Sequence, residues 1–301
     1  ICKNIYYTKY CYENIRQFYI MDKSMKIFDA FTFFNEFELL EHRLRELYDH
    51  VDYFVLVEAN TTFQNDPKDM LYYDNRERFA QWADKIIYYP VTDMPADTDT
   101  WGRERHQRNA ILKGIQDADD NDIIIVSDVD EIPRSETISK LRASKANVWP
   151  FRMPLFNFKF NYMLVNQDRY VVWSCATRKH LLLNPEDFRR TRHNLQGFPY
   201  HYKDDNIEMM EHAGWHFTYF GNEDFARQKI QSFAHNETND PWILGQLNVE
   251  ESIRKGTGII KTDERYKFAP VALDDYFTDS IRISKHSIHG NHPSARTFLP
   301  K

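Results

Sequence analysis

Cysteine is scarce in this sequence, and its three residues, Cys2, Cys11 and Cys175, do not have the spacing of metal ligands. An odd number of cysteines argues against a disulfide framework and slightly favours a reducing compartment. Two Asn-x-Thr tripeptides, at Asn60 and Asn236, are formal N-glycosylation acceptors and point the other way. Cysteine usage therefore leaves the compartment open.

Long apolar runs are absent too. No stretch approaches the roughly 18 uninterrupted apolar residues of a membrane helix, and the first 25 residues lack the apolar centre of a signal peptide. We therefore expect no membrane span and a soluble chain. A strand-like pattern starts abruptly after Met25, so residues 1–25 are expected to form an N-terminal tail of unclear role.

A surplus of positive charge is also missing. The formal net charge is −6, which gives no general attraction to nucleic acid, and we expect no nucleic-acid partner. Residues 256–262, GTGIIKT, lack the Gly-Lys-Ser/Thr ending of a phosphate-binding P-loop, and no Gly-x-Ser-x-Gly motif supports a serine hydrolase.

What the sequence does contain is a regular alternation of strand and helix patterns. Short apolar runs predict strands at 26–31, 51–59, 86–91 and 122–128, separated by helical patterns that include 35–50 and 101–118. Asn35 is a plausible N-cap of the first helix. This order predicts an α/β fold with a Rossmann-like, mostly parallel sheet, whose ligands bind beyond the carboxyl ends of the strands. After Pro133 the pattern becomes mixed and aromatic-rich.

An acidic cluster follows the fourth strand at such a position. Asp128 and Asp130 form a D-x-D sequence that can hold a hard divalent cation, and this cation can bridge the phosphates of a nucleotide. The alternative is an ordinary acidic turn, because D-x-D alone is common. The preceding apolar strand favours the metal site, and we expect Glu131 and Pro133 to fix the loop.

The helix before this strand carries Arg105, Arg108 and Asn109 on one face. Guanidinium groups suit diphosphate oxygens, and an asparagine can bind a ribose or a base edge. The alternative is a solvated helix face paired with neighbouring acids. Trp101 can stack on a base or cap the core.

Thr32 and Glu58 stand where the first two strands end, which is where α/β folds hold a nucleoside. Asn35 and Glu36 can do the same or only cap the helix.

In the second half, His216 lies on a predicted strand and is a candidate third metal ligand, although a lone histidine among aromatics is more often a core residue. Glu223 and Asp224 begin a predicted helix, where either carboxylate can act as a general base or merely favour the helix dipole.

Several blocks in this order resemble glycosyltransferase family 17, the family of the β-1,4-mannosyl-glycoprotein 4-β-N-acetylglucosaminyltransferases. The blocks span about residues 26–240 and read FDAFTFFNEFELLEHRLRELYDHVDYFVLVEAN, RERFAQWADKI, WGRERHQRNAI, DIIIVSDVDEIPR and AGWHFTYFG…KIQSFAHNE. In this resemblance Asp128 and Asp130 match the D-x-D, Arg105, Arg108 and Asn109 match the RE…QRN block, and His216 matches the GWHF block.

The resemblance implies a GT-A-type fold with UDP-GlcNAc as donor, a glycan acceptor, a divalent cation (Mn²⁺ or Mg²⁺) at the D-x-D and inversion at the anomeric carbon. It also implies one catalytic domain over 26–301, with a nucleotide-sugar-binding half at 26–134 and an acceptor-side half at 135–301. The animal enzymes of the family are anchored in the Golgi. We expect the Golgi lumen for a eukaryotic form and the cytoplasm for a microbial or viral one. Oligomeric state cannot be predicted.

Two other classes compete with this interpretation. A non-catalytic carbohydrate-binding protein on the same fold would use aromatics such as Trp149, Trp173 and Trp242 as sugar platforms. A metal-dependent nucleotidyltransferase or phosphohydrolase would also want clustered aspartates, with further Asp or His ligands at other strand ends, where only Glu58 is obvious.

Overall fold

A computed structural model describes residues 25–166, 170–190, 206–233, 239–259 and 265–289. Residues 1–24, with Cys2 and Cys11, and the Asn236 tripeptide lie outside the described residues. The described strands are β1 (Ile27–Phe33), β2 (Tyr53–Ala59), β3 (Ile86–Val91), β4 (Ile123–Asp128), β5 (Glu131–Pro133), β6 (Val148–Asn157), β7 (Tyr162–Leu164), β8 (Tyr170–Arg178), β9 (Gly214–Thr218) and β10 (Phe268–Pro270).

The described helices lie between these strands. They are α1 (Phe37–Leu47), α2 (Leu71–Asp74), α3 (Thr100–Asn109), α4 (Ile111–Gly114), α5 (Ser135–Ala143), α6 (Pro185–Arg190), α7 (Glu223–Ser232), α8 (Pro241–Gly245), α9 (Val249–Lys255) and α10 (Asp279–Arg282), with 3₁₀ helices at Arg76–Lys85 and Lys179–Leu181.

The first half of the chain builds the parallel part of the sheet, in the order β3-β2-β1-β4. The chain moves outward from β1 to β3 and then returns to place β4 on the other side of β1. Strand order therefore reverses between β1 and β4, and such a reversal opens a crevice at the carboxyl ends of the two strands. Thr32 on β1 is paired with Asp128 on β4 at this point.

Both faces of β1, β2 and β4 are buried. Alternate side chains of each strand point to opposite faces of the sheet and so enter different cores. On β1, Phe31 belongs to the apolar cluster that includes Leu40 and Leu44 of α1. Its neighbour Ala30 belongs to the opposite cluster, which includes Ile111 of α4. The apolar periodicity of the sequence thus corresponds to two separate cores, one on each side of the sheet.

The second half continues the same sheet with antiparallel strands. β8 pairs with both β4 and β6, and β7 and β10 extend the sheet beyond β6. The short strand β5 pairs with β9, which also lies parallel to β6. The α/β class, with a parallel first half and a mixed second half, is confirmed and is consistent with a GT-A-like fold. No helix in the described ranges is both long and apolar enough to cross a membrane.

Two local predictions are wrong. The helix expected over 101–118 is divided into α3 and α4 at Ala110. Asn35 is not the N-cap of α1: that position is Glu36, and the Asn35 amide donates instead to Gln228 on α7, at 2.7 Å. The side chain that the sequence assigned to a local cap therefore joins the two halves of the chain.

Candidate functional site

A cleft of about 430 Å³ opens beyond the carboxyl ends of β1, β2 and β4, where the strand order reverses. Aromatic residues form part of its wall, among them Phe34, Phe63, Trp101, Trp173 and Phe233. The charged and polar residues of its lining include Thr32, Glu36, Lys68, Glu104, Arg108, Asp128, Asp130, Glu131, Arg189, His216 and Lys229. The cleft thus combines apolar walls with a dense group of opposite charges, as ligand sites commonly do.

A buried arginine fixes the D-x-D loop from inside the protein. Arg43 of α1 and Asp29 of β1 are both 0% exposed, and the Arg43 Nε donates to Asp29 at 2.7 Å. The Arg43 Nη1 donates to the backbone carbonyls of Asp128 at 2.9 Å and Glu131 at 3.0 Å. Because these carbonyls bind the guanidinium in the core, the backbone of the loop has a defined position.

Asp128 meets two arginines on its cleft side. Its Oδ1 accepts hydrogen bonds from Thr32 Oγ1 at 3.1 Å and from Arg108 Nη2 at 2.9 Å, and its Oδ2 binds Arg189. Glu131 completes the group, since it accepts a bond from the Asp128 backbone N–H at 3.0 Å and one from Arg189 at 2.5 Å. Glu131 therefore holds the loop, as predicted.

Arg108 is shared among three carboxylates, because it binds Glu104 at 2.7 Å and Glu186 as well as Asp128. Burial lowers the pKa of the Arg108 guanidinium, but the charges of Asp128, Glu104 and Glu186 outweigh burial and raise this pKa above its usual value. Burial raises the pKa of Glu186, and the neighbouring Arg108 reverses that shift and lowers it. Arg108 and Glu186 are therefore both charged at neutral pH.

Asp130 meets a lysine rather than an arginine. Its Oδ2 accepts a hydrogen bond from the Lys229 Nζ at 2.5 Å, and its Oδ1 lies 3.8 Å from the His216 Nε2. Burial lowers the pKa of Lys229, but Asp130 and Glu36 raise it well above its usual value. The pairing of β5 with β9 places Glu131 opposite His216, which brings the histidine to the D-x-D loop.

Three of these cations were not among the predicted site residues: Arg43, Arg189 and Lys229. Arg43 carried a readable signal, because it stands between Leu40 and Leu47 on the apolar stripe of α1, where a charged residue requires a buried partner. Arg189 and Lys229 carried no such signal, since only the folded chain brings them to residues that lie 61 and 99 positions away.

The other residues predicted to bind the nucleotide differ in their exposure and contacts. Arg105 is half-exposed, 3.7 Å from Asp99, and lines an adjoining cavity of about 530 Å³ together with Arg108 and Arg190. The side chain of Asn109 accepts a bond from the Glu186 backbone N–H.

Glu58 is fully buried, and its carboxylate accepts bonds from the Tyr72 backbone N–H and the Tyr88 hydroxyl, both at 3.0 Å. Thr32, Arg108 and Asp128 are thus brought together in the cleft, whereas Asn109 and Glu58 support neighbouring backbone and side chains.

The two predicted base residues lie at the start of α7, outside the lining of the cleft. Glu223 accepts a hydrogen bond from the Val249 backbone N–H at 2.8 Å, at the start of α9. Asp224 is exposed. Glu36 lies in the cleft lining and next to α7, with its Oε1 3.5 Å from the Lys229 Nζ. Glu36 is therefore a further candidate for proton transfer.

Asp130 and His216 suit a divalent cation better than Asp128 does. Carboxylate oxygen and neutral imidazole nitrogen are ordinary ligands of such ions, and these two side chains face each other across 3.8 Å in the cleft. Both oxygens of Asp128, in contrast, are engaged by arginines. In the described part of the chain no three acidic, histidine or cysteine side chains form a metal-binding group. A cation here would take its remaining ligands from a bound substrate or water.

The three tryptophans suggested as sugar platforms differ in position. Trp149 is 0% exposed and belongs to the apolar core on the α1 side of the sheet. The suggestion is therefore wrong for this residue. Trp173 lines the cleft with its ring centroid 4.3 Å from that of His216. Trp242 is exposed on α8. Of these three tryptophans, Trp173 is the one that lies in the cleft lining.

Comparison with known proteins identifies relatives of this chain. The model of a family described as glycosyltransferase family 17 matches residues 2–274. Proteins from rat and human named β-1,4-mannosyl-glycoprotein 4-β-N-acetylglucosaminyltransferase are each 26% identical to this chain over 145 residues, and the mouse protein of that name is 25% identical. The aligned segment covers 44% of this chain but only 27% of each relative's length.

Proposed function

Because the chain belongs to glycosyltransferase family 17, we propose that it transfers a sugar from a nucleotide-sugar donor to a hydroxyl group of a glycan acceptor. The observation that supports this most is the D-x-D loop at the strand-order reversal, with both aspartates in the lining of one cleft. A nucleotide fits this place because ligands of open α/β sheets bind beyond the carboxyl ends of the strands at such a reversal.

The donor that we propose is UDP-GlcNAc. The similar rat and human proteins are named as N-acetylglucosaminyltransferases, and the cleft offers both aromatic surface and cations. Trp101 and Phe63 can stack against a uracil ring. Arg108 and Arg189 can donate to diphosphate oxygens, since planar guanidinium groups match phosphate geometry. Thr32 and Asp128 then face the ribose side of the nucleotide.

Asp130 and His216 would hold the divalent cation that we propose as cofactor, Mn²⁺ or Mg²⁺. When bound, such an ion offsets negative charge on the diphosphate leaving group. Arg108, Arg189 and Lys229 would act in the same sense, because all three positive side chains line the cleft that would hold the diphosphate. The cations of the chain itself thus contribute to leaving-group stabilisation.

A carboxylate takes the proton of the acceptor hydroxyl as this oxygen attacks the anomeric carbon, with inversion at that carbon. The candidates are Glu223 and Asp224 at the start of α7 and Glu36 in the cleft. The variants Glu223→Gln, Asp224→Asn and Glu36→Gln separate these roles. Loss of the base should lower kcat by about 100-fold or more and leave the KM of the donor nearly unchanged.

The test of the proposed function is donor hydrolysis, which requires no knowledge of the acceptor. We expect the protein to release UDP slowly from UDP-GlcNAc in the presence of Mn²⁺, and the Asp130→Ala variant to release none while keeping its circular dichroism spectrum. Asp117→Ala is the matched control, because Asp117 is exposed and outside the cleft. Full activity of Asp130→Ala, or identical rates with and without metal, would contradict the assignment.

A further inference from the structure

The acids of the D-x-D loop already have cationic partners within the chain. Asp128 lies between Arg108 and Arg189, and Asp130 binds Lys229 at 2.5 Å. Crowded carboxylates repel one another and attract any nearby positive charge. In this protein that positive charge is supplied by side chains, so the two aspartates already have cationic partners before any ligand arrives.

Lys229 is the cation that most directly opposes a metal ion. Its side chain is 14% exposed and lies on α7 in the cleft lining, with the Nζ 2.5 Å from Asp130 and 3.5 Å from Glu36. Asp130 is also the carboxylate that faces His216. A dication bound between Asp130 and His216 would therefore lie close to an ammonium group that shares its aspartate ligand.

The electrostatics of this arrangement depend on what else occupies the cleft. With no donor present, a dication must compete for Asp130 with the ammonium group of Lys229, and that ammonium repels it across a few ångströms of partly buried space. A diphosphate weakens both the competition for Asp130 and the repulsion by Lys229. Its oxygens can accept hydrogen bonds from the lysine and can also complete the coordination of the metal. Donor and cation should therefore bind together.

We propose that Lys229 is a resident cation that holds Asp130 in the donor-free protein and turns to the diphosphate when the donor binds. The divalent cation then reaches Asp130 and His216 only in the presence of the nucleotide. The inference rests on the proposed function, because it takes the ligand of the cleft to be a nucleoside diphosphate. Lys229 is thus a positioning residue that makes metal binding conditional on the donor.

The experiment measures bound Mn²⁺ directly, from the loss of the electron paramagnetic resonance signal of the free ion. The wild-type protein is titrated with Mn²⁺ alone and with saturating UDP, and the Mn²⁺–UDP complex is measured without protein and subtracted. We expect UDP to tighten Mn²⁺ binding by about tenfold or more, within the usual range of coupling between two ligands. Equal affinity with and without UDP would overturn the proposal.

Variants at position 229 assign the effect to the lysine. Lys229→Met should bind Mn²⁺ without UDP about tenfold or more tightly than the wild type, since the competing charge is gone. Lys229→Arg keeps the charge and should resemble the wild type. Lys68→Met is the matched control: it removes a cation from the same cleft, but this lysine binds Glu58 rather than Asp130. If Lys229→Met has the same Mn²⁺ affinity without UDP as the wild type, the role of Lys229 is rejected. It is also rejected if Lys68→Met gains as much Mn²⁺ affinity as Lys229→Met.

Removal of Lys229 leaves Asp130 without its ammonium partner, so the Met variant can lose stability. Its melting temperature should then rise on addition of Mn²⁺, because a ligand that binds the folded state stabilises it. If that variant does not fold, the two wild-type titrations still decide whether metal binding depends on donor. Calorimetry with UDP separates the two proposals. If the protein binds no UDP under any condition, the proposed function is contradicted. If it binds UDP but its Mn²⁺ affinity does not depend on UDP, only the inference about Lys229 is contradicted.

Discussion

The two sides of the D-x-D loop are both lined with cations, but these cations differ in kind. On the core side, Arg43 is fully buried, is bound to Asp29 and donates to the backbone of the loop. On the cleft side, Arg189 and Lys229 bind the aspartate side chains themselves. Arg43 is out of reach of a ligand in the cleft and fixes the backbone of the loop. Arg189 and Lys229 line the cleft and can exchange an aspartate for a ligand when one enters.

The largest effect should come from the core side. Arg43→Met leaves Asp29 as a buried charge without its partner, and breaking a buried pair in this way costs about 3–5 kcal/mol. Urea denaturation monitored by circular dichroism measures this loss in the free energy of unfolding. Arg45→Met is the control on the same helix, because Arg45 is exposed and its ion pair with Glu41 lies on the surface; we expect a change of about 0.5 kcal/mol or less.

A double variant sharpens this prediction. Asp29→Leu together with Arg43→Met removes both charges, so it should be less destabilised than Arg43→Met alone. If the double variant is as unstable as the single one, the hydrogen bonds to the loop carbonyls matter more than the compensation of Asp29. If Arg43→Met is fully stable, the loop is not fixed from the core side.

The cleft side should respond in ligand binding more than in stability. Arg189→Met removes a guanidinium that reaches both Asp128 and Glu131, and UDP affinity measured by calorimetry should fall about tenfold to 100-fold, the usual range for hydrogen bonds to charged groups. The neighbouring Arg190 is half-exposed and binds Glu186, outside the D-x-D loop. Arg190→Met should change UDP affinity by about twofold or less. Equal losses in the two variants would reject a specific contact.

His42, a second buried basic residue on α1, is buried in its neutral form, whereas Arg43 is buried as a charged group. The ring of His42 packs near Phe160 and Trp215, and its Nε2 has no hydrogen-bond partner among the described residues. Burial, and to a lesser extent the charge of Arg45, lowers the pKa of His42 to about 3. The histidine is therefore neutral in the folded protein.

This histidine makes stability depend on pH. Between the unfolded pKa of about 6.5 and the folded pKa of about 3, the unfolded chain binds a proton that the folded chain does not, so stability falls as pH falls, by up to about 1.4 kcal/mol per pH unit. Urea denaturation from pH 7 to 4.5 should show a shallower fall for His42→Gln than for the wild type. His180→Gln, at an exposed position, should keep the wild-type slope; a wild-type slope in His42→Gln would contradict this account.

The sequence predicts local structure here better than it predicts the contacts of the cleft. The strands β1 to β4 were predictable because each is a short apolar run, and the position of Asp128 and Asp130 beyond β4 followed from the parallel topology. The cations of the cleft were not predictable, because Arg189 and Lys229 reach the loop only through tertiary contacts. The division of the 101–118 helix at Ala110 also left no mark in the apolar pattern.

The partners of the acids in the D-x-D loop show the same limit. Crowded acids predict a positive partner, but the sequence does not say whether this partner is a metal ion or a side chain. Both oxygens of Asp128 are bound by arginines, whereas Asp130 has a lysine on one oxygen and His216 near the other. The two aspartates of one short motif therefore have different roles, which their spacing alone could not distinguish.

We propose above that the cleft beside the D-x-D loop binds a uridine nucleotide sugar. Calorimetric titration with a panel of nucleotides and nucleotide sugars, in the presence of Mn²⁺, tests it most directly. We predict heat of binding for UDP and UDP-GlcNAc that is lost in Asp130→Ala and retained in Asp117→Ala. Absence of binding for every uridine nucleotide, or binding that is unchanged in Asp130→Ala, would contradict the account.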